Sequence, residues 1–191
     1  ADAAEAIERR LTELRLTIDF LVNNAGFGQW GEFSSYDRRI DLDMLAVNCR
    51  AVIDLTHRLL PAMKRRRRGA VIIVSSVLGQ IPAPWLATYS ATKAFDKFFA
   101  ESLYTECKRY GVDVLSIEPT LTDTEFRAGT GQKPLSMRVR TSEQVVATSL
   151  RALGRAPSVA DGFLTRCWLY AAALMPRKWL LGIYEMIRKP K

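Results

Sequence analysis

The sequence predicts an α/β fold, a doubly wound parallel sheet with helices on both faces. Three observations predict it: three short apolar runs, long helical segments between them, and turn residues where each run ends. The runs are residues 17–23 (TIDFLVN), 70–75 (AVIIVS) and 112–117 (VDVLSI). Strands buried on both faces read as continuous apolar stretches, whereas strands with one wet face alternate.

Each element follows from its own residues. Asp2, with Glu5 three positions on, forms a capping arrangement, and Ile7, Leu11 and Leu14 recur at helical spacing, so the chain opens on a helix. The first strand ends at Asn23-Asn24-Ala25-Gly26. Asp37 to about Arg67 reads as one long helix with Leu45, Val52, Leu55, Leu59 and Met63 near one face. Pro61 is expected to disturb its last turns. Gly69 precedes the second strand, and residues 79–87, with Pro82 and Pro84, form a loop. A second long helix is expected from Tyr89 to Tyr110, with Phe95, Phe99 or Phe98, Leu103 and Cys107 inward and Gly111 as its stop. After the third strand, Thr141 caps a helix ending near Gly154, and a short fourth strand is expected within 157–162.

Composition bounds the function. The chain has 191 residues, enough for one domain, and its 48% hydrophobic and 25% charged content is that of a globular protein rather than a disordered one. Cys49, Cys107 and Cys167 are odd in number and scattered, which argues for a reducing compartment and against a disulfide scaffold. With His57 the single histidine, there are too few ligands for a His/Cys metal site, so no metal is expected. Of the net charge of +8, five positive charges sit in the run Lys64–Arg68. A solvated helix end accounts for that run, and no pattern of a nucleic-acid binder accompanies it, so no nucleic-acid partner is expected. The first twenty residues carry acids and lack the apolar core of a signal peptide, and a cytoplasmic location is the expectation.

Ligands of doubly wound folds sit outside the carboxyl ends of the strands. There the chain places Asn23-Asn24-Ala25-Gly26, Ser75-Ser76 and Glu118-Pro119-Thr120. Tyr89 and Lys93, four residues apart, share one helix face. An ammonium beside a phenol favours the phenolate and lowers its pKa, and a nearby serine hydroxyl could orient a carbonyl between them. Such a pair alone is common by chance. Here it stands with Asn23-Asn24-Ala25-Gly26 upstream, Asn48 in the long helix and Ser76 thirteen residues before Tyr89. With these elements in order, the chain resembles the short-chain dehydrogenase/reductase family from residue 1 to about residue 165. Within it, the chain looks most like the group that carries LVNNAGFG, found here at 21–28.

The resemblance implies a Rossmann-like sheet and an NAD(P)-dependent oxidoreductase that interconverts a carbonyl and an alcohol by hydride transfer. By position, Tyr89 would be the general acid of reduction or the base of oxidation. Lys93 would hold the nicotinamide ribose and depress the Tyr89 pKa. Ser76 would bond the substrate oxygen, Ser75 would be structural, and Asn48 would interrupt its helix and hold a water relayed to Lys93. Asn23, Ala25 and Gly26 would line the cofactor, Asn23 more as a strand tie than as a ligand. Pro119, Thr122 and Thr124 would meet the nicotinamide, although Thr120 stands where the family usually has glycine. Trp85, Leu86 and Phe126 join Ser76 and Tyr89 as substrate contacts, which suits a small-molecule carbonyl or alcohol of apolar or acyl-chain type. The cofactor would be NAD or NADP, NADP slightly favoured, and the two long helices would build a homodimer or homotetramer.

The family's opening strand and TGxxxGxG turn, which wraps the pyrophosphate, is not found among the eleven glycines. The resemblance therefore implies an N-terminally truncated sheet, with about seventy residues and three strands of the doubly wound pattern missing and weak NAD(P) binding by this chain alone. A catalytically silent binding or scaffold module is the alternative to an enzyme. Residues 1–165 read as a partial catalytic domain, and 166–191 as an amphipathic, aromatic-rich segment. Its longest uncharged run, residues 167–176, is half a membrane span. Arg166, Arg177, Lys178, Arg188, Lys189 and Lys191 form its polar side. That segment is expected to pack as a lid or interface element, with peripheral contact to an anionic membrane as the alternative.

Overall fold

A computed structural model describes residues 3–123 and 139–188. The expectations for Asp2, Thr124, Phe126, Lys189 and Lys191 lie outside the described residues. In order, the elements are α1 (Ala3–Glu13), β1 (Phe20–Asn23), α2 (Arg38–Leu45), a π turn (Ala46–Arg50), α3 (Ala51–Arg66), β2 (Gly69–Val74), a 3₁₀ turn (Val77–Gly79), α4 (Ala87–Lys108) and β3 (Val112–Glu118). After them come α5 (Ser142–Ala152), β4 (Ser158–Ala160), α6 (Phe163–Leu174) and α7 (Arg177–Arg188).

The four strands form one parallel sheet in the order β1-β2-β3-β4, with Leu21 paired to Val71, Ile73 to Ser116 and Ile117 to Val159. The register brings the C-terminal ends of the strands to one edge of the fold, where the sequence places its polar and hydroxyl residues. Val71 and Ile73 of β2 and Val112 and Val114 of β3 meet Val52, Leu60 and Met63 of α3 and Ala100 and Cys107 of α4 in the main core. On β1, Leu21 and Asn23 are buried, while Phe20 and Val22 are exposed.

The expected single helix from Asp37 to Arg67 is three pieces, α2, the π turn and α3, and the interruption falls at Asn48. The cause is lateral: the Asn48 side chain bonds to groups on other elements, which holds that turn wide. Pro61 does not disturb α3, which runs on to Arg66 with Leu60 and Met63 buried on either side of it. Packing there outweighs the one hydrogen bond that proline forfeits. The first strand is shorter than expected because Arg66 takes the Ile18 carbonyl and Arg66 and Arg68 hold the Asp19 carboxylate. These contacts also account for part of the basic run, as do Lys64 and Arg109 over the Tyr110 ring. Phe98 is exposed, leaving Phe99 as the inward residue of α4. Thr141 caps α5 with a reciprocal capping box to Gln144. Gly111 sits at φ +66°, and a Cβ there would meet the Arg67 carbonyl oxygen at 2.7 Å, so both conformation and space demand glycine.

Two buried ion pairs tie the sheet to its helices. Glu118, wholly buried at the end of β3, accepts from Lys97 of α4 at 2.9 Å and from Gln80 in the loop after the 3₁₀ turn. Lys97 also reaches Glu101 and Ser158. Asp161, equally buried, takes two bonds from Arg140, at 2.8 and 3.0 Å, and one from Thr148, which hold its carboxyl below the usual range against burial. Replacing Lys97 by Met leaves Glu118 buried without its cation. The expected cost is about 3–5 kcal/mol of unfolding free energy, read from urea denaturation.

Among the described residues no helix is long and apolar enough to cross a membrane. The inner faces of α6 and α7 pack back onto the fold: Ala172 and Leu180 cluster with Ile81, and Tyr184 clusters with Met44, Ala83, Leu86 and Tyr89.

Candidate active site

Three elements converge beyond the ends of β1 and β2. β2 ends at Val74, and Ser75 and Ser76 follow it into the 3₁₀ turn. Ser75 is structural, as expected: its hydroxyl donates to the Lys93 carbonyl at 2.6 Å and fastens the strand end to α4. Ser76 caps the 3₁₀ turn, accepting from the Leu78 amide at 3.2 Å, and also hydrogen-bonds Tyr89. The turn lies so close to α4 that a Cβ at Gly79 would stand 2.5 Å from the Lys93 carbonyl oxygen. Gly79→Ala must push the turn off the helix, and a loss of about 1–3 kcal/mol is expected from overpacking, measured as a lowered Tm.

Tyr89 and Lys93 lie one turn apart near the start of α4, both buried. The phenol packs on the β1–α2 connection, where Gly28 leaves room for it: a Cβ there would meet the ring at 2.9 Å. Asn48 is fully buried in the π turn. Its amide nitrogen donates to the Phe27 carbonyl at 2.9 Å and to the Thr92 hydroxyl at 3.0 Å, while its oxygen accepts from the Phe27 amide at 3.1 Å. It thus clamps the segment after β1 against α4. Asn23 is the strand tie expected of it, donating to the Thr56 hydroxyl of α3 at 3.1 Å.

The Lys93 ammonium is pinned at two points, the Val74 carbonyl at 2.8 Å and the Asp96 carboxylate at 2.9 Å. Asp96 is the site residue that the sequence reading missed. Its signal was a carboxylate three residues after Lys93, the spacing of a helical ion pair. Its second oxygen is buried without a partner. Burial drives the Asp96 carboxyl up to about 6 although Lys93 pulls it down.

Burial works against one expectation here. Lys93 was to depress the Tyr89 pKa, yet burial pushes the phenol up to about 12, against the lowering by the Ser76 hydrogen bond, and the charge of Asp96 adds to the rise. The physical reason is burial, which penalises the phenolate more than the Ser76 hydrogen bond favours it. Burial also lifts the neighbouring Cys49 thiol to about 11, so it stays protonated at neutral pH.

The residues that the resemblance assigns to the nicotinamide end lie at the same edge of the sheet. Gly26 has Asn48 and Lys93 so near that a Cβ would meet them at 3.1 and 3.4 Å, so the backbone rather than a side chain lines this floor. The Pro119 carbonyl accepts from the Val77 amide, and Thr122 donates to the Thr120 carbonyl and bridges Arg140, which brings the end of β3 to the same edge. Ala25 lies between these parts in the β1–α2 connection.

On the substrate side, Leu86 is 2% exposed and packs with Met44, Ala83, Tyr89 and Tyr184, backing the phenol. Trp85 is half-buried at φ +68°, a strained backbone for a tryptophan, and its indole nitrogen is buried without a partner. Phe27, Trp30 and Leu78 complete an apolar wall, with Tyr184 contributed by α7.

Comparison with known proteins agrees with this geometry. Residues 1–134 match the short chain dehydrogenase family. The very-long-chain 3-oxoacyl-CoA reductase of Mus musculus is 35% identical over 183 residues, which cover 91% of this chain and 57% of that protein. The dehydrogenase/reductase SDR family member 7B of Xenopus laevis is 30% identical over 186 residues, 92% of this chain and 58% of its own length. The chain therefore spans less than two thirds of the curated relatives it matches. A solved 7β-hydroxysteroid dehydrogenase superposes with a TM-score of 0.83 at 25% identity, over 95% of this chain and 71% of that one. A short-chain dehydrogenase from Sphingobium yanoikuyae, solved with NADPH, gives 0.71 at 26%, over 98% and 72%. With sheet order, strand-end residues and these matches in agreement, the chain belongs to the short-chain dehydrogenase family of oxidoreductases.

Proposed function

We propose that the protein carrying this chain reduces a ketone of an acyl-chain substrate to an alcohol, taking hydride from a nicotinamide cofactor. The observation that carries the reading is the convergence of Tyr89, bonded to Ser76, with Lys93 and Asn48 on the floor made by Gly26. When bound, the cofactor supplies the hydride; the chain supplies position and the proton.

The carbonyl oxygen sits where Ser76 and Tyr89 can both donate to it. Charge that develops on that oxygen is met by two donors on buried side chains, where they are worth more than in water. Tyr89 then gives its proton to the oxygen. A phenol near pKa 12 is still a stronger acid than an alcohol, so this transfer runs downhill. Lys93 is placed for the ribose hydroxyls, and Asp96 acts through it as a positioning residue that fixes the ammonium under Gly26. Asn48 holds the segment after β1 against α4 so that these groups keep their spacing. Trp85, with an indole N–H free to donate, and the apolar wall around it suit a long-chain oxoacyl substrate.

The test is turnover by the full-length protein of 3-oxoacyl thioesters of graded chain length with NADPH or NADH, followed by loss of nicotinamide absorbance. Activity that rises with chain length and is greater with NADPH is expected. Tight cofactor binding with no turnover of any carbonyl would instead establish the silent, binding-only reading.

A further inference from the structure

Outside the site, the largest feature is the outer surface of α6 and α7. The helices bury Leu169, Ala172, Leu180 and Tyr184 against the fold. At about 100° per residue, Phe163, Leu164, Cys167, Tyr170, Ala171 and Leu174 lie on the opposite side of α6, and all six are exposed. No charged residue interrupts that face. A helix lying on a folded protein in water normally shows the reverse, a polar outer side. On α7 the exposed apolar residues Trp179, Ile183 and Met186 share one flank, while Lys178 and Glu185 take the other.

Cations border this surface. At the start of α6 a groove of about 370 Å³ is lined by Arg140, Arg151, Arg166 and Phe163. Arg140 is engaged with Asp161, whereas Arg151 and Arg166 are exposed on the groove rim. The Arg166 guanidinium stands 6.0 Å over the Phe163 ring, so the first aromatic of the apolar face and the cationic groove adjoin. Arg177 and Lys178 extend the positive border onto α7.

We infer that the outer face of α6 and α7 docks on an anionic lipid surface, its aromatic and aliphatic side chains entering the acyl boundary while Arg151 and Arg166 meet headgroup phosphates. Apolar and aromatic residues on one side with arginine and lysine at the border is the composition of a helix lying in a membrane interface. The net charge of +8 draws the whole chain to such a surface. A second copy is the poorer occupant. A two-fold contact would use the same patch of both protomers and so bring Arg166, Arg177 and Lys178 of each into one interface. The inner faces of the same helices pack on Ile81 and Tyr89, so docking brings the candidate site to the bilayer surface, where a lipid-like substrate resides. The docking does not depend on the catalytic reading, and the test below needs no turnover.

The full-length protein is floated with vesicles of phosphatidylcholine alone and of phosphatidylcholine with phosphatidylglycerol, at low and high salt. The expected result is stronger recovery with the anionic vesicles, reduced by salt. Leu174→Asp, at a side chain 89% exposed, should lower vesicle affinity about tenfold or more while leaving the Tm unchanged. Arg151→Ala with Arg166→Ala should retain the residual binding to neutral vesicles and lose the preference for anionic ones. Absence of flotation, or equal flotation of Leu174→Asp, overturns the inference. So does a dimer seen by light scattering that Leu174→Asp dissociates while vesicle binding is nil, because then the face is covered by a second copy.

Discussion

Tyr89→Phe is expected to lower kcat about 10²–10⁴-fold, the range for loss of a positioned general acid. Cofactor affinity should be unchanged. The substitution removes one oxygen and nothing else: the ring still fills the space left by Gly28 and still packs on Met44, Leu86 and Tyr184. Ser76 loses its bond to the phenol but keeps the Leu78 amide, so the turn stays capped and the Tm should move little. Steady-state kinetics with a saturating 3-oxoacyl thioester, beside a thermal melt, reads both quantities. Undiminished turnover would remove Tyr89 from the chemistry altogether, whatever the substrate proves to be.

Asp96→Asn is expected to change two pH profiles at once. Removing the carboxylate takes away a charge that raises the Tyr89 pKa, so the limb of the rate profile assigned to Tyr89 should move to lower pH. The stability profile follows from Asp96 itself. Its carboxyl titrates near 6 in the fold against an unperturbed value of 3.8, so between those values the folded state binds more protons than the unfolded one. Stability from this group is therefore greatest below about pH 4, falls as pH rises, and is lost above about pH 6. That is the reverse of an ordinary surface-paired carboxylate. Asparagine has no such titration but can still accept from Lys93. The difference in unfolding free energy between wild type and Asp96→Asn should accordingly shrink or change sign as pH rises from 4 to 6, measured by urea denaturation across the range. A constant difference would mean that Asp96 does not titrate there, and an unmoved rate profile would deny it any influence on Tyr89.

Much of this was legible beforehand for physical reasons. β2 announces itself because a strand buried on both faces must be continuously apolar, and AVIIV is; β3 is apolar apart from Asp113, which is exposed, and Ser116. Ser76, Tyr89 and Lys93 come together because a strand end and a four-residue helical spacing fix them locally. The strand-tie reading of Asn23 and the structural reading of Ser75 came instead from the family resemblance, and their partners, Thr56 and Lys93, lie 33 and 18 residues away. What escaped depends on groups distant in sequence or on competition between effects. The fate of the Lys93 charge turns on Asp96, whose burial no spacing reveals. The partnership of Glu118 with Lys97 and Gln80 spans 21 and 38 residues. Leu86 looked like a pocket residue because it stands beside Trp85; only packing shows that one faces the core while the other is half-buried. Pro61 carried a correct local penalty that the surrounding core overrides.

The widened turn at Ala46–Arg50 imposes a constraint of a different kind, on length. A π turn is an α-helix into which one residue too many has been threaded. Deleting any one residue of that stretch would let the helix close into a single uninterrupted period. The flanking helices α2 and α3 would keep nearly their present orientation, because a wide turn absorbs its extra residue locally. What would be lost is the local widening that aims Asn48 at Phe27 and Thr92. Loops elsewhere can gain or lose residues and α3 can tolerate a proline, but this segment must be counted residue by residue. Its five positions act as a ruler, so a search for distant versions of this site should hold their number fixed even where their letters change.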